Sequence, residues 1–253
     1  MIALIMAGGL GKRMNSTTPK VLHKVLTYPM IIHVIKTALS LNPEKIIIIV
    51  GQYKDIIDDS IEHYLSSEEY QKIEYATQKN ACGTGNAILS ALDNLINNVE
   101  QRVVILSGDV PLISHDTLKN LIDDNQDKIL ITELENPKSC GRIIFDENKT
   151  KILQIIEEKE CSEKQKEIKY VNCGIYQISV SNLFKFIPLI KNDNSTGEYY
   201  LTDIVKLMTE FNFPIGFHEL SHDKQYEIKN VNTSNDLIKL NEDVKDLLKY
   251  NNY

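Results

Sequence analysis

Residues 46–50 read Ile-Ile-Ile-Ile-Val, five β-branched residues in a row with no polar one among them. A strand with one wet face alternates apolar and polar side chains, so an unbroken apolar run must be covered on both faces. Other short, largely apolar runs that read as buried parallel strands are IALIMA at the start, KIEYAT at 72–77 and RVVILS at 102–107. Between them lie helical patterns: residues 29–41 open on Pro29 and carry Ile32, Ile35 and Leu39 on one face, and residues 84–96 repeat Ile88, Leu92 and Leu95. Strand and helix alternating over the first 125 residues or so predict right-handed crossovers and an α/β fold, a Rossmann-like doubly wound and mostly parallel sheet.

The second half changes character. KILITEL, GRIIFD, KILQII and IKYVNCGIYQIS are strand-like but separated by polar loops such as EEKECSEKQKE. They predict an antiparallel or mixed portion on one edge of that sheet, a subdomain of about 134–228 within a domain of 1–232. Residues 233–253 are expected to form a closing helix, with a good N-cap region and apolar residues at 237, 240, 244, 247 and 248. There is no hexapeptide array of the parallel β-helix type, so no left-handed β-helix is expected.

Charge and cysteine content narrow the function classes. A net charge of -7 argues against a nucleic-acid binder, whose phosphate contacts need an excess of Lys and Arg on one face. A small anionic substrate remains compatible if a few cations converge. The four Cys form no C-x-x-C pair and follow no secretory signal, which predicts free thiols in a reducing cytoplasm. The apolar start gives way to two glycines and basic residues well short of the roughly 20 residues a membrane span needs.

MAGGLGKRM follows the first strand directly. It is not a Walker A loop, because no Ser or Thr follows Gly11-Lys12, and it fails the dinucleotide fingerprint because Met14 stands where a third Gly belongs. What remains is a loop of small residues whose N–H groups can approach phosphate, with the cations Lys12, Arg13 and Lys20 nearby. A triphosphate fits such a loop; a tight βα turn with solvated basic residues is the alternative. The loop's position at a strand's carboxyl end, where open α/β sheets bind ligands, favours the first. Asp109 lies just past the strand 102–107, between Gly108 and Pro111. An Asp there is often a turn former, but if that strand neighbours the first, its carboxylate faces the basic loop and suits Mg²⁺ beside phosphate oxygens.

HELSH at 218–222 matches the zinc-peptidase pattern His-Glu-x-x-His, and Glu242 matches its third ligand. That site needs a helix, so that both His share one face. Pro214 and Gly216 precede the motif and FPIGFHEL alternates like a strand, so a strand is expected and the zinc reading is remote.

Taken in order, MAGGLGKRM with PKVLH, QKNACGTGNA, SGDVPLIS, the pair CGRI and EEKE, NCGI, TGEYYLTDI and NVN span almost the whole chain. The chain resembles the uridylyltransferase domain of the bifunctional N-acetylglucosamine-1-phosphate uridylyltransferases, a sugar nucleotidyltransferase family. The resemblance implies transfer of UMP from UTP to N-acetylglucosamine 1-phosphate with release of pyrophosphate, through in-line attack assisted by Mg²⁺. It implies that Ala7, Gly8, Gly9, Gln78, Gly83 and Thr84 surround the nucleotide and that Arg13 and Lys20 hold the phosphates as catalytic cations. It further implies that Asp109 and Asn232 bind Mg²⁺, and that Gly141, Glu157, Asn172 and Thr202 line the sugar phosphate pocket. Gln78 is expected to offer both donor and acceptor to uracil. TGEYYLTDI also reads simply as a helix start capped by Thr202 and Asp203.

Three positions depart from the family pattern: Lys12 replaces Thr, Ala81 replaces a second Gln, and Ser107 replaces Tyr. Ser107 keeps another hexose 1-phosphate open as the acceptor. A nucleotide-sugar sensor without turnover is a further alternative, disfavoured by the retained metal ligands and cations. The bifunctional relatives continue into an acetyltransferase β-helix that makes them trimers. This chain stops at Tyr253, so no acetyl transfer is expected and the trimer is not inherited by analogy.

Overall fold

A computed structural model describes residues 1–9 and 11–250, without the side chains of Lys12 and residues 247–250. The Lys12 cation and the apolar positions 247 and 248 therefore lie outside the described side chains, and residues 251–253 outside the description altogether. Among the described residues, eleven strands run in chain order as β1 Ile2–Met6, β2 Lys24–Val25, β3 Tyr28–Pro29, β4 Ile46–Val50, β5 Ile73–Thr77, β6 Arg102–Ser107, β7 Lys128–Glu133, β8 Arg142–Phe145, β9 Ile152–Ile156, β10 Tyr170–Ser179 and β11 Gly216–Glu219. Nine of them form one sheet whose main path is β11-β7-β10-β6-β1-β4-β5, while β2 and β3 make a small hairpin. Within it β6, β1, β4 and β5 are parallel, and β10 enters antiparallel between β6 and β7.

The run at 46–50 explains itself in this sheet. Ile47 and Ile49 pack into a core beneath the helices Thr84–Ser90, Val180–Phe186 and Asp203–Glu210. Ile46, Ile48 and Val50 pack into a second core beneath Met30–Ser40, Lys54–Tyr64 and His115–Ile122. All five are fully buried, a gain of about 1.5–3 kcal/mol per side chain before entropy is counted. The two cores confirm the doubly wound, mostly parallel architecture.

The second half supplies the mixed portion. β8 and β9 form an antiparallel pair joined to β10, and β11 lies parallel to β7. FPIGFHEL is therefore extended: His218 is in β11, and His222 opens a 3-10 turn, His222–Ile228, after the strand has ended. Glu242 sits on the closing helix Ser234–Tyr250. Among the described residues no group of three or more His, Cys, Asp or Glu is placed to hold a metal, so HELSH is not a zinc site.

One helix departs from its pattern. The stretch 84–96 is α-helical only to Ser90 and continues as a 3-10 helix, Leu92–Asn98. The amides of Asn94 and Asn98 reach out to Glu74, the Tyr75 carbonyl and Glu44, and these side-chain bonds favour the tighter turn. All four cysteines are free thiols. Among the described residues no helix is long and apolar enough to cross a membrane.

Candidate active site

The carboxyl ends of β1 and β6 are adjacent, and two loops leave them into one cleft of about 580 Å³. Gly108 N–H donates to the Met6 carbonyl at 3.0 Å, and a Cβ on Gly108 would fall 3.1 Å from that oxygen. Glycine lets the two strand ends meet. Gly11 has a left-handed φ of 60° and opens a short 3-10 turn, Lys12–Met14. A side chain there would meet Lys20 Cβ at 2.8 Å, so this glycine lets the loop fold back over Lys20.

Lys20 is where the site converges. Its ammonium makes an ion pair with the Asp109 carboxylate and donates to Asn232 Oδ1 at 2.8 Å. Arg13 donates to the same amide oxygen at 3.0 Å. Asp109 is held from its other side by the Ser107 hydroxyl, which donates to Oδ1 at 2.6 Å. The Lys20 and Asp109 side chains are only 15% and 14% exposed, so the surrounding protein shields the pair from water and strengthens its Coulomb attraction. One carboxylate oxygen and one amide oxygen thus touch a single cation. Such a hard oxygen pair suits a divalent ion that completes its shell with phosphate and water.

Gln78 is buried at the end of β5, against Gly8. Its NH₂ group donates to the Gly83 carbonyl and to Asn86 Oδ1, both at 3.0 Å. Only its oxygen is left for a base, so the donor half of the expected uracil pairing is used inside the protein. Thr84 Oγ1 accepts from Leu201 N–H at 2.9 Å, Tyr199 N–H donates to the Cys82 carbonyl at 2.8 Å, and Gly85 N–H donates to the Tyr199 carbonyl at 2.8 Å. Loop 82–85 and segment 199–201 are pinned together.

Ala7, Gly8, Gly9, Arg13, Lys20, Gln78, Gly83, Thr84, Asp109, Glu157 and Asn232 all line the cleft, together with the departing positions Ala81 and Ser107. Gly141, Asn172 and Thr202 are not among its lining residues. Gly141 and Asn172 are joined by a backbone bond of 2.9 Å, and the Asn172 amide is engaged with Tyr176 and the Gly174 N–H. Thr202 is buried and donates to Glu157 Oε1 at 2.9 Å. It makes no cap hydrogen bond to the helix that follows, so its hydroxyl serves the pocket wall rather than the helix start.

Sequence reasoning missed Glu198 and Tyr200, which also line the cleft. The motif TGEYYLTDI marks the segment, but Thr202 alone in it was expected at the pocket. Asn86 was missed as well, although it stands inside the motif QKNACGTGNA, in the first turn of the helix Thr84–Ser90.

Burial raises the pKa of Glu157, the Thr202 hydrogen bond opposes that, and the nearby Asp203 and Glu198 charges add to it. The folded value lies above the unfolded one of 4.5, so stability falls as pH rises from the ordinary glutamate range through the raised value. Glu157→Gln, which removes the charge but keeps an acceptor for Thr202, is expected to raise Tm at neutral pH. The gain should shrink as pH falls towards the ordinary glutamate range. Thermal melts across that interval decide it; a gain independent of pH would contradict the assignment.

The sequence matches the model of the family described as "Nucleotidyl transferase" over residues 2–215. It is 44% identical over 240 residues to a probable UDP-N-acetylglucosamine pyrophosphorylase of Acanthamoeba polyphaga mimivirus, covering 92% of each chain. Against a bifunctional protein GlmU of Caldanaerobacter subterraneus subsp. tengcongensis the identity is 37% over 221 residues, covering 85% of this chain and 46% of the relative. A GlmU of Legionella pneumophila gives 36% over 245 residues, 94% of this chain and 50% of the relative. The chain therefore spans about half the length of these bifunctional relatives. A solved UDP-glucose pyrophosphorylase complexed with UDP-glucose superimposes with a TM-score of 0.77 at 20% identity, covering 97% of this chain and 98% of that one, a likeness of fold.

Proposed function

This chain belongs to the nucleotidyl transferase family, whose members generally use a divalent metal, and we propose that it transfers UMP from UTP to N-acetylglucosamine 1-phosphate. The observation that carries the reading is the meeting of Lys20, Asp109 and Asn232 beside the glycine loop 7–9 in one cleft. The 44% identity to a probable UDP-N-acetylglucosamine pyrophosphorylase supports the choice of sugar.

In this mechanism an oxygen of the sugar 1-phosphate attacks the α-phosphorus of UTP in line with the bond to the β-phosphate. That bond breaks and pyrophosphate leaves. The nucleophile is already anionic, so no side chain has to take a proton or form a covalent intermediate. The chain's work is alignment and charge neutralisation. Backbone at Ala7, Gly8 and Gly9 receives the nucleotide, and Gln78 presents its oxygen to the base. Arg13 and Lys20 balance the charge on the phosphates and on the departing pyrophosphate. Asp109 and Asn232 hold Mg²⁺, which supplies further charge neutralisation on the phosphate oxygens. Glu157, braced by Thr202, accepts hydrogen bonds from the sugar, with Gly141 and Asn172 supporting the same side.

Pyrophosphate release is the test, with UTP, CTP, ATP and dTTP set against N-acetylglucosamine, glucose and galactosamine 1-phosphates, with and without Mg²⁺. Turnover is expected with UTP and N-acetylglucosamine 1-phosphate and lost on chelation. A clear preference for glucose 1-phosphate would replace the acceptor, and binding without turnover in every combination would make the chain a sensor.

A further inference from the structure

Asn232 is not on a strand end like its proposed co-ligand Asp109. It sits in the irregular segment between the 3-10 turn His222–Ile228 and the closing helix, so something other than the sheet must keep its amide oxygen in place. Three contacts do so. The preceding residue, Val231, is fully buried and its N–H donates to the Asp109 carbonyl at 3.1 Å. The side-chain oxygen faces Lys20 and Arg13. The backbone N–H of Asn232 donates at 3.0 Å to Oδ2 of Asp236, in the first turn of the closing helix.

Asp236 does more than cap that helix. The same Oδ2 accepts from Thr233 N–H at 2.8 Å, while Thr233 Oγ1 accepts from Asp236 N–H at 3.2 Å, the reciprocal pattern of a capping box. A capping box satisfies the helix's own first donors. Here the carboxylate also takes an N–H from the residue before the box, and that residue carries the amide oxygen facing Lys20. The helix start is itself anchored, because Ser234 Oγ donates to the Met14 carbonyl at 3.0 Å and Val231, Leu240 and Val244 pack with Met14, Val25 and Met30. The carboxylate is thus a fixed post.

We propose that Asp236 is a positioning residue for the metal site, holding the backbone of Asn232 so that its amide oxygen stays opposite Asp109. The inference rests on the reading of Asn232 as a metal ligand. Groups that orient a ligand without touching the metal typically change metal affinity by about 10–100-fold when removed.

The test measures Mn²⁺ binding by electron paramagnetic resonance, in the presence of UTP, for the wild type, Asp236→Ala, Thr233→Val and Asn232→Ala. Thermal melts on the same proteins report helix capping separately. Thr233→Val removes the other half of the box and leaves the carboxylate that holds Asn232, so it reports a purely structural role. Asp236→Ala is expected to weaken Mn²⁺ binding at least tenfold, with the UTP KM at saturating metal within about twofold of wild type. Thr233→Val is expected to lower Tm to a similar extent while keeping Mn²⁺ affinity. Wild-type Mn²⁺ affinity in Asp236→Ala, or equal loss in Thr233→Val, overturns this inference alone when Asn232→Ala binds Mn²⁺ poorly. Wild-type affinity in Asn232→Ala overturns the ligand assignment and this inference with it.

Discussion

Asp109→Ala is expected to lower kcat for pyrophosphate release by at least about a hundredfold, as is Lys20→Ala, because each removes a charge partner of the transition state. The geometry makes the two losses different in kind. Without the carboxylate, the Lys20 ammonium keeps the Asn232 oxygen as its polar contact among the described residues, and the proposed metal site loses one of its two protein ligands. Asp109→Ala should therefore respond to metal concentration, with partial recovery at high Mg²⁺. Without the ammonium, Asp109 and Asn232 remain but the phosphates lose a cation, and added metal should not restore turnover. The pair lies at a strand end rather than in either apolar core, so circular dichroism should stay native in both variants. Near-normal kcat in either variant would remove that residue from the catalytic set.

A second large effect, on binding rather than turnover, is expected from Gly83→Ala through backbone geometry alone. Gly83 has φ 109°, a conformation that L side chains rarely adopt and that costs on the order of 1–3 kcal/mol when imposed. A Cβ there would also lie 2.8 Å from Tyr199 N and 3.0 Å from its carbonyl carbon, and closer still to its oxygen. Those neighbours are main chain, tied to Cys82 and Gly85 by bonds of 2.8 Å each, so no flexible side chain can yield. Segment 199–201 has to move away, which loosens the bond from Leu201 to Thr84 and the grip of Gln78 on the Gly83 carbonyl. The KM for UTP should rise at least about tenfold, as 1.4 kcal/mol of lost binding already gives that factor, and Tm should fall by several degrees. An unchanged KM would mean that this loop does not shape the nucleotide side of the cleft.

Much of the fold was legible because burial on both faces leaves a plain trace in the sequence. The residues of β4 divide between the two cores with period two, and their unbroken apolar run follows from that. The place of β10 was not legible. Its register shifts between Asn172 and Tyr176, where Gly174 takes a φ of 74°, and no local pattern states which strands a ten-residue segment will join. HELSH marks the converse case: the letters of a zinc site were present, but the pairing of Phe217 and His218 with Ile129 and Leu130 keeps the segment extended. The candidate site was readable in proportion to how local each part is. The glycine loop announced itself, whereas an Asp after a strand is an ordinary turn former until its neighbours in space are known. Asp236 was least visible, because its spacing from Thr233 reads completely as a helix start.

The bonds from Arg13 and Lys20 to Asn232 join residues 219 and 212 positions apart in the chain. During synthesis, the parallel strands, the glycine loop and Asp109 can all be in place while the last of these partners has still to leave the ribosome. Closing so long a loop is slow, and it yields few new contacts until the final helix docks. On the proposed assignment of Asn232, catalysis has to wait until that segment has docked. A fragment cut short before Asn232 is expected to keep the strands of the sheet and to lack the proposed metal site.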